Sequence, residues 1–308
     1  MRPIPGAHVA PFPEFIEPCL ATLRACAPSG VGWVHEIKYD GYRTQAQVRD
    51  GKCSLYTRRG YNWTKRFATV AEALQPIRFD VILDGEVAVP DERGFSDFHR
   101  LQSDLAQGRT DRLAYFVFDL LYCNGQDLRP IPLEQRKRML SQVLRPLPDA
   151  RIRLSKHLDA DGPQVFRQAC AMDLEGIVSK RRDAPYRSGR QDIWVKSKCI
   201  KSDTYPIIAF VEKLGAKPRR IASLYVGRRE AGRLLYAGKV GTGYTEVIQR
   251  DLRERLDPLV RRTSPLDVPV KKPKATWVDP RLEVEVQYAT LTRESCSGKP
   301  FTRVCEMT

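Results

Sequence analysis

The stretch Glu36-Ile37-Lys38-Tyr39-Asp40-Gly41-Tyr42-Arg43 decides the fold class of this 308-residue chain. Apolar and aromatic residues predict a strand over 33–39, and Gly41 ends that strand just after Lys38. A lysine at a strand exit, close to other charged side chains, is a candidate nucleophile, because nearby cations favour the neutral amine that attacks. A solvated strand face, charged at every second position, is the alternative interpretation.

Five further motifs follow in sequence order, next to other predicted strands. They are Thr57-Arg58-Arg59-Gly60, Leu83-Asp84-Gly85-Glu86, Val117-Phe118-Asp119-Leu120-Leu121-Tyr122 with Asn124-Gly125, Glu175-Gly176-Ile177-Val178-Ser179-Lys180, and Trp194-Val195-Lys196-Ser197-Lys198. Because strand side chains alternate, Lys196 and Lys198 project from the same side and can both face one group of phosphates.

Taken together, the motifs resemble those of the covalent nucleotidyltransferases, the family of DNA ligases, RNA ligases and mRNA capping enzymes. The first stretch matches the KxDGxR motif, and the others match in the expected order across residues 36–198. The resemblance implies that Lys38 attacks the α-phosphorus of ATP and then carries AMP. It also implies ATP and Mg²⁺ (or Mn²⁺) as cofactors, with Glu175 helping to hold the metal.

The same resemblance assigns nucleotide-binding roles to other motif residues. They are Glu36 at the adenine amino group, Phe118 stacked on adenine, Glu86 at the ribose hydroxyl, Arg43 and Arg58 at the ribose or the nick phosphate, and Lys196 and Lys198 at the phosphates. Some alternatives stay open. Phe118 also fits a position in an apolar core. Arg59 is the alternative to Arg58 as the arginine that contacts the nucleotide, and Lys180 fits either the site or a solvated surface.

The character of the chain changes near Asp203. Before it, a Pro-rich lead-in over residues 1–30 precedes strands mixed with helices over 64–74, 133–144 and 163–172. After it, short strands and a helix over 245–259 suit a small OB-type barrel. The predicted fold is therefore α+β, with a nucleotidyltransferase domain of ATP-grasp-like antiparallel sheets and helices at 1–203 and an OB-fold β-barrel at 204–308. One large domain is the alternative.

The positive charge of the chain favours a polyanionic partner. The net charge is +15, and nucleic acid is the usual partner of such a protein. Residues 204–308 carry 20 Lys and Arg against 12 Asp and Glu, a net +8, so the shorter segment has the denser charge. Candidate DNA contacts are Arg187 and Arg190, in a loop like that of bacterial ligases, and Lys239. A solvated loop is the alternative for the two arginines.

Within the family, the OB-like segment favours DNA ligases, and nearly the whole chain resembles the ligase module of bacterial end-joining ligases. We therefore expect a monomeric, stand-alone, ATP-dependent DNA ligase that seals nicked duplex DNA in repair and recombination. The resemblance implies the end-binding protein Ku as a partner and the bacterial cytoplasm, at the nucleoid, as the location. An RNA-joining or capping enzyme and a non-catalytic nick-binding protein remain alternatives.

Cysteine usage and hydropathy exclude several other classes. The eight cysteines, at positions 19, 26, 53, 123, 170, 199, 296 and 305, form no Cys-x-x-Cys pair, so a zinc site is not expected. A chain of this size needs no disulfide framework, and we expect reduced cysteines. No apolar signal core and no run of 18 apolar residues is present, so no membrane span is expected.

The C-terminal segment departs from the family pattern. Related ligases end in a motif with a basic residue, a Phe, a Gly and an Arg that meets the pyrophosphate of ATP. Here Lys299, Phe301 and Arg303 can be aligned with that motif, but its Gly is missing and the spacing is shorter. The segment is either a frayed tail or a shortened pyrophosphate contact.

Overall fold

The computed structural model describes residues 3–199, 201–241, 246–272, 274–288 and 304–307. The chain divides into two compact units, Met1–Cys199 and Ile200–Thr308. This division falls slightly before the predicted boundary at 203. The predicted pyrophosphate motif, Lys299 to Arg303, lies outside the described residues. Among the described helices, none is long and apolar enough to cross a membrane.

The first unit combines strands and helices. Its strands are β1 (His8–Val9), β2 (Cys19–Leu23), β3 (Trp33–Ile37), β4 (Tyr42–Arg49), β5 (Lys52–Thr57), β6 (Val81–Ala88), β7 (Ala114–Cys123), β8 (Gln126–Asp127), β9 (Ile152–Leu154), β10 (His157–Leu158), β11 (Gly176–Arg181) and β12 (Gly189–Lys198). Its helices are α1 (Ala68–Leu74), which follows a 3-10 turn at Thr64–Phe67, α2 (Phe98–Ala106), α3 (Leu133–Leu144) and α4 (Gly162–Ala171).

These strands form two sheets. The first has the order β1-β8-β7-β6-β4-β5, with β9 alongside β7, and the second has the order β10-β3-β11-β12-β2. Residues paired across neighbouring strands point to the same face. In the second sheet Val178 pairs with both Glu36 and Lys196. The register therefore places Glu36 and Lys196, from motifs 160 positions apart in sequence, on one face of the sheet.

Apolar packing holds the helices and sheets of this unit together. Helices α1, α2 and α3 cover the first sheet through a cluster that includes Leu74, Leu83, Leu101 and Leu140, each fully buried. A separate cluster joins the two sheets, and in it the rings of Phe118 and Trp194 meet edge to face at 5.9 Å. Burial of large aromatic side chains stabilises this junction, which lies at the base of the pocket described below.

The second unit consists of strands and one described helix. They are β13 (Lys201–Glu212), β14 (Ile221–Glu230), β15 (Arg233–Val240), α5 (Glu246–Leu256), β16 (Thr276–Trp277), β17 (Glu283–Tyr288) and β18 (Val304–Met307), with a 3-10 turn at Asp257–Leu259. The sheet order is β15-β14-β13-β17-β18, and β16 also pairs with β13. Leu252 and Leu256 of α5 pack into a core with Phe210, Leu224 and Val284.

Several elements differ from the sequence-based expectations. The lead-in over 1–30 contains β2, which pairs with β12 in parallel. Strand β4 and helix α2 were not expected, and the predicted helix over 64–74 begins as a 3-10 turn. Strand β2 escaped the prediction because prolines surround it in sequence, whereas its pairing partner is remote.

The expectation of reduced cysteines was wrong for one pair. Cys170, at the end of α4, forms a disulfide with Cys199, which follows β12. The backbone N–H of Cys199 also donates a hydrogen bond to the carbonyl of Glu175 (3.0 Å). Cys19, Cys26 and Cys53 are free thiols among the described residues. The pairing had no sequence signal, because 29 positions separate the two cysteines and spacing alone does not fix connectivity.

Replacing both bonded cysteines, as Cys170→Ser with Cys199→Ser, should lower the free energy of unfolding by about 2–4 kcal/mol under oxidising conditions. The reason is that the cross-link restricts the unfolded chain. Thermal melts of both proteins, with and without a reductant, measure the effect. The reductant should remove the difference in melting temperature between the two proteins. A wild-type melting temperature that is the same with and without reductant would contradict a structural disulfide.

Candidate active site

A cavity of about 1010 Å³ lies in the first unit and contains most of the predicted site residues. Its lining includes Glu36, Lys38, Arg43, Arg58, Arg59, Glu86, Phe118, Lys180, Arg190 and Lys196. Both sheets contribute side chains, which explains why residues from six separated motifs meet. A cavity of this size accommodates a nucleotide-sized ligand.

The predicted nucleophile is held by one carboxylate, Glu175, which also pairs with a second lysine. The Nζ of Lys38 donates to Oε2 of Glu175, and Oε1 of Glu175 pairs with Nζ of Lys198 at 2.9 Å. The two residues of the first pair are only 19% and 11% exposed, so water screens the interaction weakly. Glu175 therefore fixes the position of Lys38 relative to Lys198.

Two glycines permit the close backbone approach that this arrangement requires. A Cβ on Gly176 would lie 2.0 Å from the carbonyl oxygen of Ser197, and its φ of +143° also disfavours other residues. A Cβ on Gly41 would lie 2.2 Å from the carbonyl oxygen of Val87. The carbonyl of Gly176 also accepts a hydrogen bond from the N–H of Lys38 (3.0 Å).

At the other end of the cavity, Glu36 forms the centre of a buried polar cluster. Lys137 of α3 donates to its Oε1 (2.7 Å), while Ser155 (2.8 Å) and Lys180 (3.0 Å) approach its Oε2. Burial alone would raise the pKa of Glu36, but the two lysines hold it below its usual value. Burial lowers the pKa of Lys180 to about 8 against the opposing attraction of Glu36.

Arg43 is held in place by a carboxylate rather than left free. It makes a bidentate pair with Asp84, with both N–O distances at 2.6 Å, and the hydroxyl of Tyr186 donates to the same carboxylate. Its guanidinium lies 4.4 Å from the ring centroid of Phe118. Phe118 is only 8% exposed, so it belongs to the buried core and to the cavity wall at the same time.

Excess carboxylate charge surrounds Lys38. The pKa of Glu86 is raised to about 7, mainly by burial and in part by Glu175 and Asp40, while Arg43 and Lys38 oppose the shift. Burial, followed by repulsion from Glu175, also raises the pKa of Asp40. These carboxyl groups therefore share a region in which added positive charge is favourable.

Cations gather on the open side of the cavity. Burial lowers the pKa of Lys196, and the positive charges of Lys198, Lys38, Arg190 and Arg58 lower it further. Mutual repulsion of this kind makes a further anion favourable beside Lys196, although Glu175 already pairs with Lys38 and Lys198. A polyphosphate suits this position, because its oxygens can pair with several cations at once.

The structure does not bring every predicted residue to the cavity. Arg187 is exposed in the loop between β11 and β12 and does not line the cavity, whereas Arg190 of the same segment does. The Arg190 guanidinium also donates to the carbonyl of Ala21 (3.1 Å). Lys239 is exposed on β15 in the second unit, near the ring of Tyr225.

Sequence analysis missed the residues that hold the motif side chains in position. These are Lys137, Ser155, Asp84 and Tyr186. A signal for Lys137 existed, because it falls on the buried stripe of α3 with Leu133, Leu140 and Leu144. A cation among leucines on a buried helical face indicates a buried partner, and Arg136 lies on the same stripe. Asp84 lies within a quoted motif without a predicted role, and no comparable signal marked Ser155 or Tyr186.

Comparisons with known proteins agree with this geometry. Residues 18–198 match the family model described as ATP dependent DNA ligase domain, and residues 217–303 match the ATP dependent DNA ligase C terminal region. The chain is 39% identical over 290 residues to the multifunctional non-homologous end joining protein LigD of Pseudomonas aeruginosa, covering 92% of this chain and 34% of that protein.

LigD of Mycobacterium tuberculosis is 32% identical over 267 residues, covering 85% of this chain and 34% of that protein. The chain thus spans about a third of the length of the curated relatives it matches. Among solved structures, the ligase domain of M. tuberculosis LigD matches with a TM-score of 0.59 at 30% identity, over 96% of this chain and 95% of that one. These matches confirm the predicted fold class.

The unliganded protein should lose thermal stability as pH rises from about 5 to about 8, in part because of Glu86. Its pKa lies near 7 in the folded state against a usual value of 4.5. Between those values the folded state retains a proton that the unfolded state has released, so stability falls as pH rises through 7.

Melting temperatures of the wild type and of Glu86→Gln at pH 5 and pH 8 measure this contribution. The variant should gain stability relative to the wild type mainly at pH 8. Glu92→Gln, at an exposed position, is the control. An equal difference between Glu86→Gln and the wild type at both pH values would contradict the shift.

Proposed function

Because this chain belongs to the ATP-dependent DNA ligases, we propose that it seals nicks in duplex DNA through an AMP group carried on Lys38. The observation that carries the proposal is the position of Lys38, which lines a cavity rich in cations and pairs with Glu175, whose other oxygen pairs with Lys198. A solved relative, a mycobacterial DNA ligase D that is 30% identical, was determined in complex with ATP.

In the proposed first step, the amine of Lys38 loses its proton and attacks the α-phosphorus of ATP. A nitrogen–phosphorus bond forms, and the bond to pyrophosphate breaks. Glu175 holds the attacking nitrogen in place before the reaction. Lys196, Lys198 and Arg58 stabilise the charge that grows on the phosphate oxygens. Pre-positioned charges of this kind lower the barrier without a reorganisation cost.

The other predicted site residues bind the rest of the nucleotide. Glu36 accepts a hydrogen bond from the adenine amino group at the floor of the cavity. Phe118 packs against the base, and Glu86 binds a ribose hydroxyl. Arg43 contacts the ribose or the nick phosphate from its position beside Phe118 and Asp84.

The residues near Lys38 also fit Mg²⁺ or Mn²⁺. Glu175 and its neighbouring carboxyl groups offer oxygen ligands, which these hard cations prefer. Within the described residues no three such side chains converge into a complete metal site. That suits Mg²⁺, which is commonly held by one or two carboxylates together with substrate phosphates. When bound, the ion supplies positive charge to the reacting phosphate groups.

In the two later steps, AMP passes from Lys38 to the 5′-phosphate at the nick, and the 3′-hydroxyl then displaces AMP. The protein holds the duplex mainly through phosphate contacts, so binding is independent of sequence. We assign the adenylation chemistry to residues 1–203 and additional basic contact surface, including Lys239, to the OB-type domain at 204–308.

The pathway is inferred from the relatives. Those with the highest identity cited above are named for non-homologous end joining. We therefore propose a role in bacterial DNA repair, at the nucleoid in the cytoplasm, with the end-binding protein Ku as a partner. Co-purification with Ku from a DNA-damaged bacterial culture tests that partnership separately from the chemistry.

Incubation with α-labelled ATP and Mg²⁺ should leave labelled AMP on the protein after denaturing electrophoresis. Lys38→Ala should abolish the label, because no other amine is expected to attack. Lys52→Ala, an exposed lysine on β5, serves as the control and should retain it. Parallel reactions with GTP, and with nicked RNA in place of nicked DNA, test the substrate class. Full labelling of Lys38→Ala would refute the assignment.

DNA affinity should fall steeply with salt. Each phosphate contact contributes about 0.9 to the slope of a log–log plot of affinity against salt concentration. Arg190→Ala should lower that slope by about 0.9, because Arg190 lies at the cavity edge. Arg187→Ala is the matched variant from the same segment and should change the slope less. Equal slopes for the wild type and Arg190→Ala would show that Arg190 does not contact a DNA phosphate.

A further inference from the structure

Lys137 lies outside all the motifs, yet it is buried beside the cavity. It comes from α3, is only 5% exposed and pairs with Glu36, which is 101 positions away in sequence. A buried lysine is rare unless each of its donors is used. The contacts of its ammonium group therefore indicate its role.

The ammonium group of Lys137 has three hydrogen-bond donors and three acceptors around it. They are Oε1 of Glu36 at 2.7 Å, the backbone carbonyl of Ser155 at 2.9 Å and the backbone carbonyl of Phe118 at 3.4 Å. One side chain thus joins the carboxylate at the cavity floor to the strand that carries the aromatic ring of Phe118. Both Glu36 and Phe118 line the cavity, whereas Lys137 does not.

The carboxylate of Glu36 is almost saturated by the protein. A carboxylate offers about four acceptor positions. Lys137 and Ser155 occupy two of them by hydrogen bonds, and Lys180 covers a third as an ion pair at 3.0 Å that lacks hydrogen-bond geometry. A single acceptor position is left for a donor group in the cavity. Its direction depends on Lys137, the donor to Oε1, together with Ser155, the donor to Oε2, because one hydrogen bond at each oxygen sets the orientation of the carboxylate.

We propose that Lys137 is a positioning residue that makes Glu36 selective for a purine carrying a 6-amino group. The inference rests on the proposed binding of ATP in this cavity. An aligned carboxylate accepts a hydrogen bond from a 6-amino group and repels the carbonyl oxygen that guanine presents at the same position. Without Lys137, Glu36 turns towards Lys180, and the remaining acceptor no longer faces the base.

The test compares self-adenylylation with ATP and with purine riboside triphosphate, in which hydrogen replaces the 6-amino group. Loss of a hydrogen bond to a charged group lowers kcat/KM by roughly ten- to a hundredfold. The wild type should show this loss with the analogue. Lys137→Met should show nearly equal kcat/KM for the two nucleotides, through a raised KM for ATP with little change in kcat.

Arg138→Met is the matched control, since Arg138 neighbours Lys137 on α3 but is 68% exposed and pairs only with Glu134 among the ion pairs of the described residues. It should keep the wild-type preference. Lys137→Met with an unchanged preference for ATP over the analogue would overturn the proposal and leave Lys137 a purely structural role. A wild type that forms no adenylate at all would instead refute the proposed function.

Ser155→Ala provides a second test of the proposal if Lys137→Met does not fold. This variant removes one oxygen from the same cluster, at the Oε2 side of Glu36. If the cluster sets the preference, Ser155→Ala should weaken discrimination against the analogue, with kcat nearly retained. An unchanged preference in this variant would count against a positioning role for the cluster.

Discussion

The close contact at Gly176 is the constraint on which the reactive end of the site depends. Its Cα faces the carbonyl of Ser197 with no space for a side chain, and its own carbonyl accepts a hydrogen bond from the Lys38 N–H. Strands β11 and β12 and the exit of β3 therefore meet around one residue. The immediately preceding residue, Glu175, is placed between Lys38 and Lys198 by that geometry.

Charge balance organises the rest of the cavity. Each buried carboxylate faces a cation from another element, as in the pairs of Glu36 with Lys137 and of Asp84 with Arg43. Such pairs seldom add much net stability, because desolvation offsets their attraction. Removing one partner is costly, however, so each pair fixes the direction of the other side chain. Ion pairs thus orient the side chains where the base is expected, and Lys196, Arg58 and Arg190 add positive charge where phosphates are expected.

The sequence predicted the motif residues and the main strands because both depend on local patterns. The strand over 33–39, the helix over 133–144 and the family resemblance were all apparent from short segments, and the resemblance is confirmed by the matched family models. Helix α2 was missed although its signals are local, whereas other missed features depend on distant pairing. Strand β2 forms by pairing with β12. The role of Tyr186 comes from its hydrogen bond to Asp84, a residue 102 positions away. Neither of these pairings produces a periodic pattern of apolar residues in the sequence segment concerned.

The buried stripe of α3 has a consequence for protein engineering. Attempts to retarget such a cavity to another nucleobase usually begin with the side chain that touches the base. Here the side chain proposed for that contact, Glu36, is held by a helix with no residue of its own in the cavity lining, through a cation that three acceptors already saturate. A library restricted to cavity-lining positions would leave this support unchanged. Productive redesign must vary Lys137 and Ser155 together with Glu36.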